Sequence, residues 1–341
     1  MTEDLIKSRK DDHININLEQ NVNSSLRNGF EKYQFIHNAL PELDLEKIDL
    51  TQELFYKKVS VPILISSMTG GTEQAQKINQ SLAMAAQQYG LAMGVGSQRA
   101  AIEKPELINT FNIRKFAPDI LLFANLGAVQ LNYGYGIDEC KIAVEMIEAD
   151  SLIFHLNPLQ EAVQPEGDTN FAGLLNKIEK ICKTIPVPVV IKEVGWGISA
   201  DLAKKFKDIG VAGIDVSGAG GTSWSQVERF RLTNPYEIKV AEAFINWGIP
   251  TAEALASIRE KNLGLPIIAS GGLKDGMDLA KSLALGANLA GMAGVFLKAA
   301  VDSMDHLLDT IKVFERIIRI SMFATGSEDL RSFSSEKLLK R

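Results

Sequence analysis

Eight times along its 341 residues the chain runs through a short apolar stretch, ends it in Gly, Ser, Asn or Lys, and continues into a segment of helical character. The stretches are PILIS from Pro62, LAMGV from Leu91, DILLFAN from Asp119, SLIFHLN from Ser151, VPVVIK from Val187, AGIDVS from Ala212, LPIIAS from Leu265 and NLAGMA from Asn288. Strand-like and helix-like segments in alternation are the pattern of βαβ units, whose strands form a parallel sheet. The stretches are apolar throughout rather than at every second residue. That suits strands covered by helices on one side and packed against a filled interior on the other. Amphipathic segments at 74–88, 139–148, 171–184, 199–208, 236–247, 252–261, 275–285 and 298–320 supply the cover. Eight units favour an α/β chain folded as a (β/α)8 TIM barrel over an open doubly wound sheet.

The division expected is an N-terminal extension over 1–60, a barrel over 61–325 and a tail over 326–341 that frays. Residues 217–234, SGAGGTSWSQVERFRLTN, interrupt the repeat with a long polar, Gly-rich connection. Connections of that length inside a barrel are usually functional, so a lid or ligand loop is expected there.

Composition removes several function classes. A net charge of −6 argues against general nucleic-acid binding, which draws on a basic face. No run of 18 apolar residues offers a membrane span, and the polar start MTEDLIKSRKDDH lacks the apolar core of a signal peptide, so a cytoplasmic protein is expected. Cys140 and Cys182 fit no metal spacing and read as reduced structural thiols. His37 and His306 have no motif around them and read as surface or packing residues.

In barrels of this type the active site is built at the C-terminal ends of the strands, and the unusual residues of this chain gather there. Ser67, Met68 and Thr69 follow the first strand, Gly96 to Arg99 the second, and Asn125 closes the third. His155, Asn157, Gln160 and Glu161 end the fourth, Lys192 and Glu193 the fifth, Ser217 the sixth, Gly271 and Gly272 the seventh, Ala293 and Gly294 the eighth. Glycines after the seventh and eighth strands let backbone N–H groups approach a phosphate. A lysine closing an apolar strand needs an anionic partner, and the ring edge of a phosphorylated heterocycle lying across Thr69, Ser97, Asn125 and Lys192 would be one. Flavin mononucleotide answers that description; on physics alone a phosphosugar is almost as good.

RKDDH at 9–13, SSMTGG at 66–71, GSQR at 96–99, HLNPLQE at 155–161, KEVGWG at 192–197, DVSGAGGTSW at 215–224 and SGGL at 270–273 together resemble the type 2 isopentenyl-diphosphate isomerases, from about residue 7 to about 325. The resemblance implies a reversible conversion of isopentenyl to dimethylallyl diphosphate with reduced FMN, Mg2+, and NADPH or NADH to reduce the flavin. It also implies a homo-tetramer or homo-octamer. By matching motif, Arg9, Lys10 and His13 look like diphosphate ligands, and Ser97, Gln98 and Arg99 like a second set of substrate contacts. Ser67, Met68, Thr69, Ser97, Asn125, Lys192, Ser217, Thr222, Gly271, Gly272, Leu273, Ala293 and Gly294 look like the FMN site. Asn157 and Gln160 resemble residues facing the substrate, Glu161 the protein ligand of the metal, and Gln160 with His155 the catalytic pair.

The chemistry agrees with those assignments. A diphosphate carries about three negative charges, which several charge-assisted hydrogen bonds must meet locally in an acidic chain. Moving a double bond needs a proton delivered to an unactivated alkene and another removed. HLNPLQE offers only His155 and Glu161 as titratable groups, and the metal claims Glu161. Reduced flavin would fill that gap, which leaves His155 either catalytic or orienting. Two other readings stand beside this one. A hydroxy-acid oxidase would place a histidine at the sixth strand end, where DVSGAGGTSW has none. A barrel that only binds a phosphorylated ligand would not need the lysine and metal features.

Overall fold

A computed structural model describes residues 12–341, so Arg9 and Lys10 lie outside the described residues. In chain order the helices are α1 (12–19), α2 (Glu73–Tyr89), α3 (Arg99–Glu103), α4 (Ile137–Met146), α5 (Pro158–Val163), α6 (Leu174–Thr184) and α7 (Ala200–Asp208). They continue as α8 (Trp224–Arg229), α9 (Pro235–Glu242), α10 (Thr251–Glu260), α11 (Gly276–Ala284), α12 (Gly294–Asp302) and α13 (Met304–Ala324). Strands β1 (Tyr33–Phe35), β2 (Gln52–Leu54) and β3 (Lys57–Val59) precede the repeat, and β12 (Leu338–Lys340) follows it.

Each of the eight apolar stretches becomes a strand: β4 (Ile63–Ile65), β5 (Ala92–Gly94), β6 (Leu122–Gly127), β7 (Ser151–Leu156), β8 (Val189–Glu193), β9 (Gly213–Asp215), β10 (Ile267–Ser270) and β11 (Leu289–Met292). They pair in parallel in chain order, and β11 closes onto β4 through Ala290 and Ile63, giving the (β/α)8 barrel. The helices form as their patterning requires. In α2 the apolar residues Ile78, Leu82, Ala85 and Ala86 share the buried face, and the Thr72 hydroxyl caps the start by accepting from Ala75 N–H. One expected segment, 298–320, is two helices: Ser303 takes an extended conformation and caps α13 through His306 N–H, ending α12 at Asp302.

The barrel interior is filled. Leu64, Ala92, Phe123, Ile153, Val190, Ile268 and Leu289 meet on its axis and are closed from below by the β2–β3 hairpin. Phe55, at the hairpin tip, sets its ring edge-on to Phe123 with centroids 6.1 Å apart. Ligands therefore have access from the other end, where the strand ends carry the polar residues. Phe55→Ala should cost about 3 kcal/mol of stability by opening this plug. Because the plug is remote from the mouth, urea unfolding should show the loss while the substrate KM stays at its wild-type value.

One expectation fails in the connecting segments and another is narrowed. The tail does not fray: β12 pairs antiparallel with β1, Tyr33 opposite Lys340, and buried Phe333 stacks on Phe35 with centroids 5.5 Å apart. Residues 217–234 are a packed wall rather than a free lid, with Ser217, Gly221, Thr222 and Trp224 at the barrel mouth as the ligand-loop alternative requires. Val216 to Gly220 are buried, Ala219 bridges to Pro250 and Thr222 to Asn23, and α8 buries Ser225 to Glu228. Its polar atoms are consumed by neighbours, which its composition alone does not reveal. The cysteines are free, as expected: Cys140 is buried, and burial pushes its thiol up to about 12.

Candidate active site

A cavity of about 570 Å³ opens at the C-terminal mouth of the barrel, a size suited to a cofactor with a small substrate. Parallel register brings the strand ends to one level: Gly127 lies beside His155, His155 beside Lys192, and Lys192 beside Asp215 across β6 to β9. Sequence-distant residues thereby become neighbours. His13, Ser67, Met68, Thr69, Ser97, Arg99, Asn125, His155, Asn157, Gln160, Glu161, Lys192, Ser217, Thr222, Gly271, Gly272, Leu273, Ala293 and Gly294 all line this cavity.

The side chain of Gln98 is the exception and corrects its reading as a substrate contact. It is fully buried in the wall, where its amide donates to Ala143 O at 2.7 Å and accepts from Asn125 N–H at 2.9 Å. Its neighbours Ser97 and Arg99 point to the cavity, so Gln98 points away and fixes the end of β6 instead.

One half of the cavity is suited to FMN. At the phosphate end, α12 begins at Gly294 with no side chain capping it, and a Cβ built there would meet nothing within 4 Å. Open N–H groups at a helix start favour an anion. Gly271 and Gly272, with φ of 101° and 72°, turn the chain after β10 in conformations that other residues resist. Deeper in, the buried Ser66 and Ser67 hydroxyls face the cavity without a protein hydrogen-bond partner, as expected where a ligand's polar ring edge completes the set. Lys192 is 8% exposed and donates to Ser217 Oγ at 2.9 Å and to Glu193 O at 2.5 Å. Behind it, buried Asp215 accepts from Ser270 Oγ at 2.6 Å and from Ser217 N–H at 3.2 Å. Burial raises the Asp215 carboxyl above its ordinary range, while the Lys192 charge works the other way. Asn125 Oδ1 lies 2.8 Å from His155 Nδ1 and holds the imidazole at the lip of β7.

Glu193 points the other way along β8. One of its oxygens accepts the N–H groups of Val194, Gly195 and Trp196 at 2.7, 2.7 and 2.5 Å, which fixes the KEVGWG turn. Burial pushes this carboxyl up to about 7 against those three donors.

The other half gathers charge at the rim. Pro158 opens α5 immediately after β7, so the helix presents Gln160 and Glu161 in its first turn to the mouth. Glu161 accepts from Asn157 Nδ2 at 2.8 Å, from Asp168 N–H at 2.7 Å and from Gln164 Nε2. Among the described residues no group of three or more His, Cys, Asp or Glu could hold a metal, so a metal here would rely on a single carboxylate. Mg2+ accepts that arrangement when phosphate and water fill its other positions. Arg99 is held by Glu103 at 2.8 Å and Asp168 at 2.9 Å.

Glu228 was missed in the sequence. It is fully buried on α8 and accepts from Gln160 Nε2 at 2.8 Å and Arg231 Nη1 at 2.6 Å, and His13 Nε2 of α1 lies 3.2 Å from its Oε1. Burial opposes its charge, yet His13, Gln160 and Arg231 together outweigh burial and hold the carboxyl down at about 2. Trp224 packs edge-on against the His13 ring, 5.2 Å between centroids, and joins α1 to α8. The available signal was VERFR, an acid with an arginine three residues on, two residues after DVSGAGGTSW.

Comparison with known proteins places the chain in a family. The FMN-dependent dehydrogenase family matches residues 156–340, more than half of the chain. A protein of Nostoc sp. named isopentenyl-diphosphate delta-isomerase is 53% identical over 98% of this chain and 96% of its own length. One of the same name from Rickettsia rickettsii is 50% identical over 97% of this chain and 96% of its own. Among solved structures, a flavocytochrome b2 with sulfite bound superposes with a TM-score of 0.69 at 19% identity, covering 96% of this chain and 82% of its own. An (S)-mandelate dehydrogenase superposes at 0.67 with 17% identity, covering 99% and 97%. Those two likenesses establish the fold alone. No helix among the described residues is long and apolar enough to cross a membrane.

Proposed function

The chain belongs to the isopentenyl-diphosphate delta-isomerase family, and from that premise we propose how its cavity serves the conversion of isopentenyl to dimethylallyl diphosphate. The double bond moves by one carbon. A proton joins the terminal CH2, and another leaves the methylene on the far side of the central carbon, with no net oxidation. Such chemistry needs a dry site and a counter-charge for the electron-poor central carbon. FMN, when bound and reduced, supplies an exchangeable proton at ring N5 and negative charge near ring N1.

The chain's own residues frame that chemistry. Lys192, its ammonium fixed by Ser217 Oγ, offers the cation beside which negative charge is held. Gln160 has no acid of its own to give. Its amide is oriented at both ends, donating to Glu228 and accepting from Asn157 Nδ2 at 3.1 Å, and its role is to align the hydrocarbon. His155 is kept in orientation by Asn125 and bears on the same space. At the rim, Arg99 and His13 would meet the diphosphate and Glu161 would hold Mg2+, with Arg9 and Lys10, outside the described residues, as further diphosphate ligands. NADPH would supply the electrons that reduce the flavin.

The observation that carries this reading is the make-up of one cavity. A glycine-lined anion cradle and a buried lysine line it together with Arg99, His13 and Glu161. A hydroxy-acid oxidase chemistry is disfavoured because the connection that follows β9, from Val216 through Ser217 onward, contains no histidine. Incubation with isopentenyl diphosphate and Mg2+ without oxygen, flavin reduced, should accumulate dimethylallyl diphosphate over many turnovers per NADPH. NADPH consumption equal to product would overturn the reading.

A further inference from the structure

We propose that Asp168 is a positioning residue that joins Arg99 to Glu161 and so presets the spacing between the arginine and the metal ligand that receive one diphosphate. This inference rests on the roles given above to Arg99 and Glu161. Asp168 lies in the connection from α5 to α6 and is used twice. Its backbone N–H donates to Glu161 Oε2 at 2.7 Å, and its side-chain Oδ2 accepts from Arg99 Nη1 at 2.9 Å and from Gln130 Nε2 at 3.0 Å. Arg99 follows β5, Gln130 follows β6, and Glu161 follows β7, so one residue ties three successive strand-to-helix connections together at the rim.

The backbone at Gly167 makes the tie tight. A Cβ at Gly167 would stand 1.7 Å from Glu161 O and 2.6 Å from its carbonyl carbon, both backbone atoms that cannot swing aside. Only glycine lets the loop lie close enough for the next N–H to reach the Glu161 carboxylate. Arg99 gains a defined direction from the same arrangement. A guanidinium has five N–H groups. One is given to Glu103 and one to Asp168, which leaves three for a phosphate in a plane fixed at two corners. Without Asp168 the arginine keeps only Glu103, on its own helix, and is free to rotate about its side chain. A partner that orients a metal ligand typically changes affinity by about 10- to 100-fold when lost.

Two variants of the holoenzyme separate the two uses. Asp168→Asn keeps the backbone N–H and removes the charge from Arg99, whereas Gly167→Ala pushes the N–H off Glu161. Isopentenyl diphosphate is titrated into each oxidised flavoprotein by calorimetry with Mg2+ present. Mn2+ uptake in the presence of the same substrate is followed by electron paramagnetic resonance, and flavin content by absorbance. Asp168→Asn should weaken the diphosphate about tenfold, raise KM in proportion and leave kcat within about threefold, with Asp168→Glu recovering part of the loss. Gly167→Ala should weaken Mn2+ about tenfold or more. Flavin content should stay at the wild-type value in all three, which reports that the barrel is intact. Wild-type values of both titrations in both variants overturn the proposal, as does a fall in kcat at unchanged KM. Failure of the underlying assignment looks different: wild-type enzyme then takes up no Mn2+ with the substrate, and the positioning role falls with it.

Discussion

Lys192→Ala is expected to turn over at least about a hundredfold more slowly per bound flavin, since removing one preorganised charge donor from a water-poor site costs about 2.7 to 4 kcal/mol of barrel-mouth catalysis. The same change should lower stability by about 3 kcal/mol, because a buried carboxylate loses the charge that faces it. That carboxylate is Asp215, beside Lys192 in the β8–β9 register. The two effects can be separated. Asp215→Asn in the Lys192→Ala background removes the uncompensated acid and should return most of the stability, with no return of turnover. Thermal unfolding and single-turnover rates measured on the same preparations decide the matter. A Lys192→Ala enzyme within threefold of wild type in rate would remove Lys192 from the mechanism.

Glu228→Gln is the second large effect. Glu228 accepts from Gln160 on one oxygen and from Arg231 on the other, so both of its hydrogen-bond partners are donors, and His13 Nε2 stands 3.2 Å from the first oxygen. A glutamine has one acceptor oxygen and one NH2, and one side of the arrangement must then face a donor. Loss of orientation at Gln160 should reduce kcat about 10- to 100-fold, within the range seen when an oriented group loses its support. Stability should respond to pH in a stated direction. The folded carboxyl is held at about 2, below its ordinary 4.5. Its contribution is therefore complete above about pH 4.5 and is lost as pH falls toward 2, amounting to about 3 kcal/mol. Urea unfolding from pH 7 down to pH 2 should show wild type losing that increment and Glu228→Gln lacking it. Parallel curves for the two proteins would mean that Glu228 is not held ionised by its partners.

Strand positions were legible because burial on both faces leaves an unbroken apolar stretch, and LLFAN, SLIFHL and VVIKE could hardly be anything else. The residues closing those stretches were legible for the opposite reason: Lys192 and His155 are costly where an apolar strand ends unless a ligand or partner meets them. Side-chain direction was not. Gln98 sits between two cavity residues in GSQR, and only the turn of the backbone into α3 sends it inward to Ala143 and Asn125. With Arg231 three residues on, Glu228 has the spacing of an ordinary helical ion pair, an arrangement common on solvated faces. What distinguishes it is the arrival of His13 from more than two hundred residues away, which no local pattern encodes. Asp168 was hidden likewise, since its importance lies in contacts from two other connections. Phe333 shows the same limit in the tail, where one aromatic among Ser and Lys residues finds Phe35.

The pairing of β1 with β12 bears on the order in which the protein can be completed during synthesis. Tyr33 to Phe35 emerge from the ribosome before the barrel, and the strand they pair with, Leu338 to Lys340, follows it. The edge of β1 must wait, exposed, through the translation of the entire barrel. β1 can thus be paired only after the whole barrel has been made, and disruption of Leu338 to Lys340 would leave its edge open on an otherwise finished barrel.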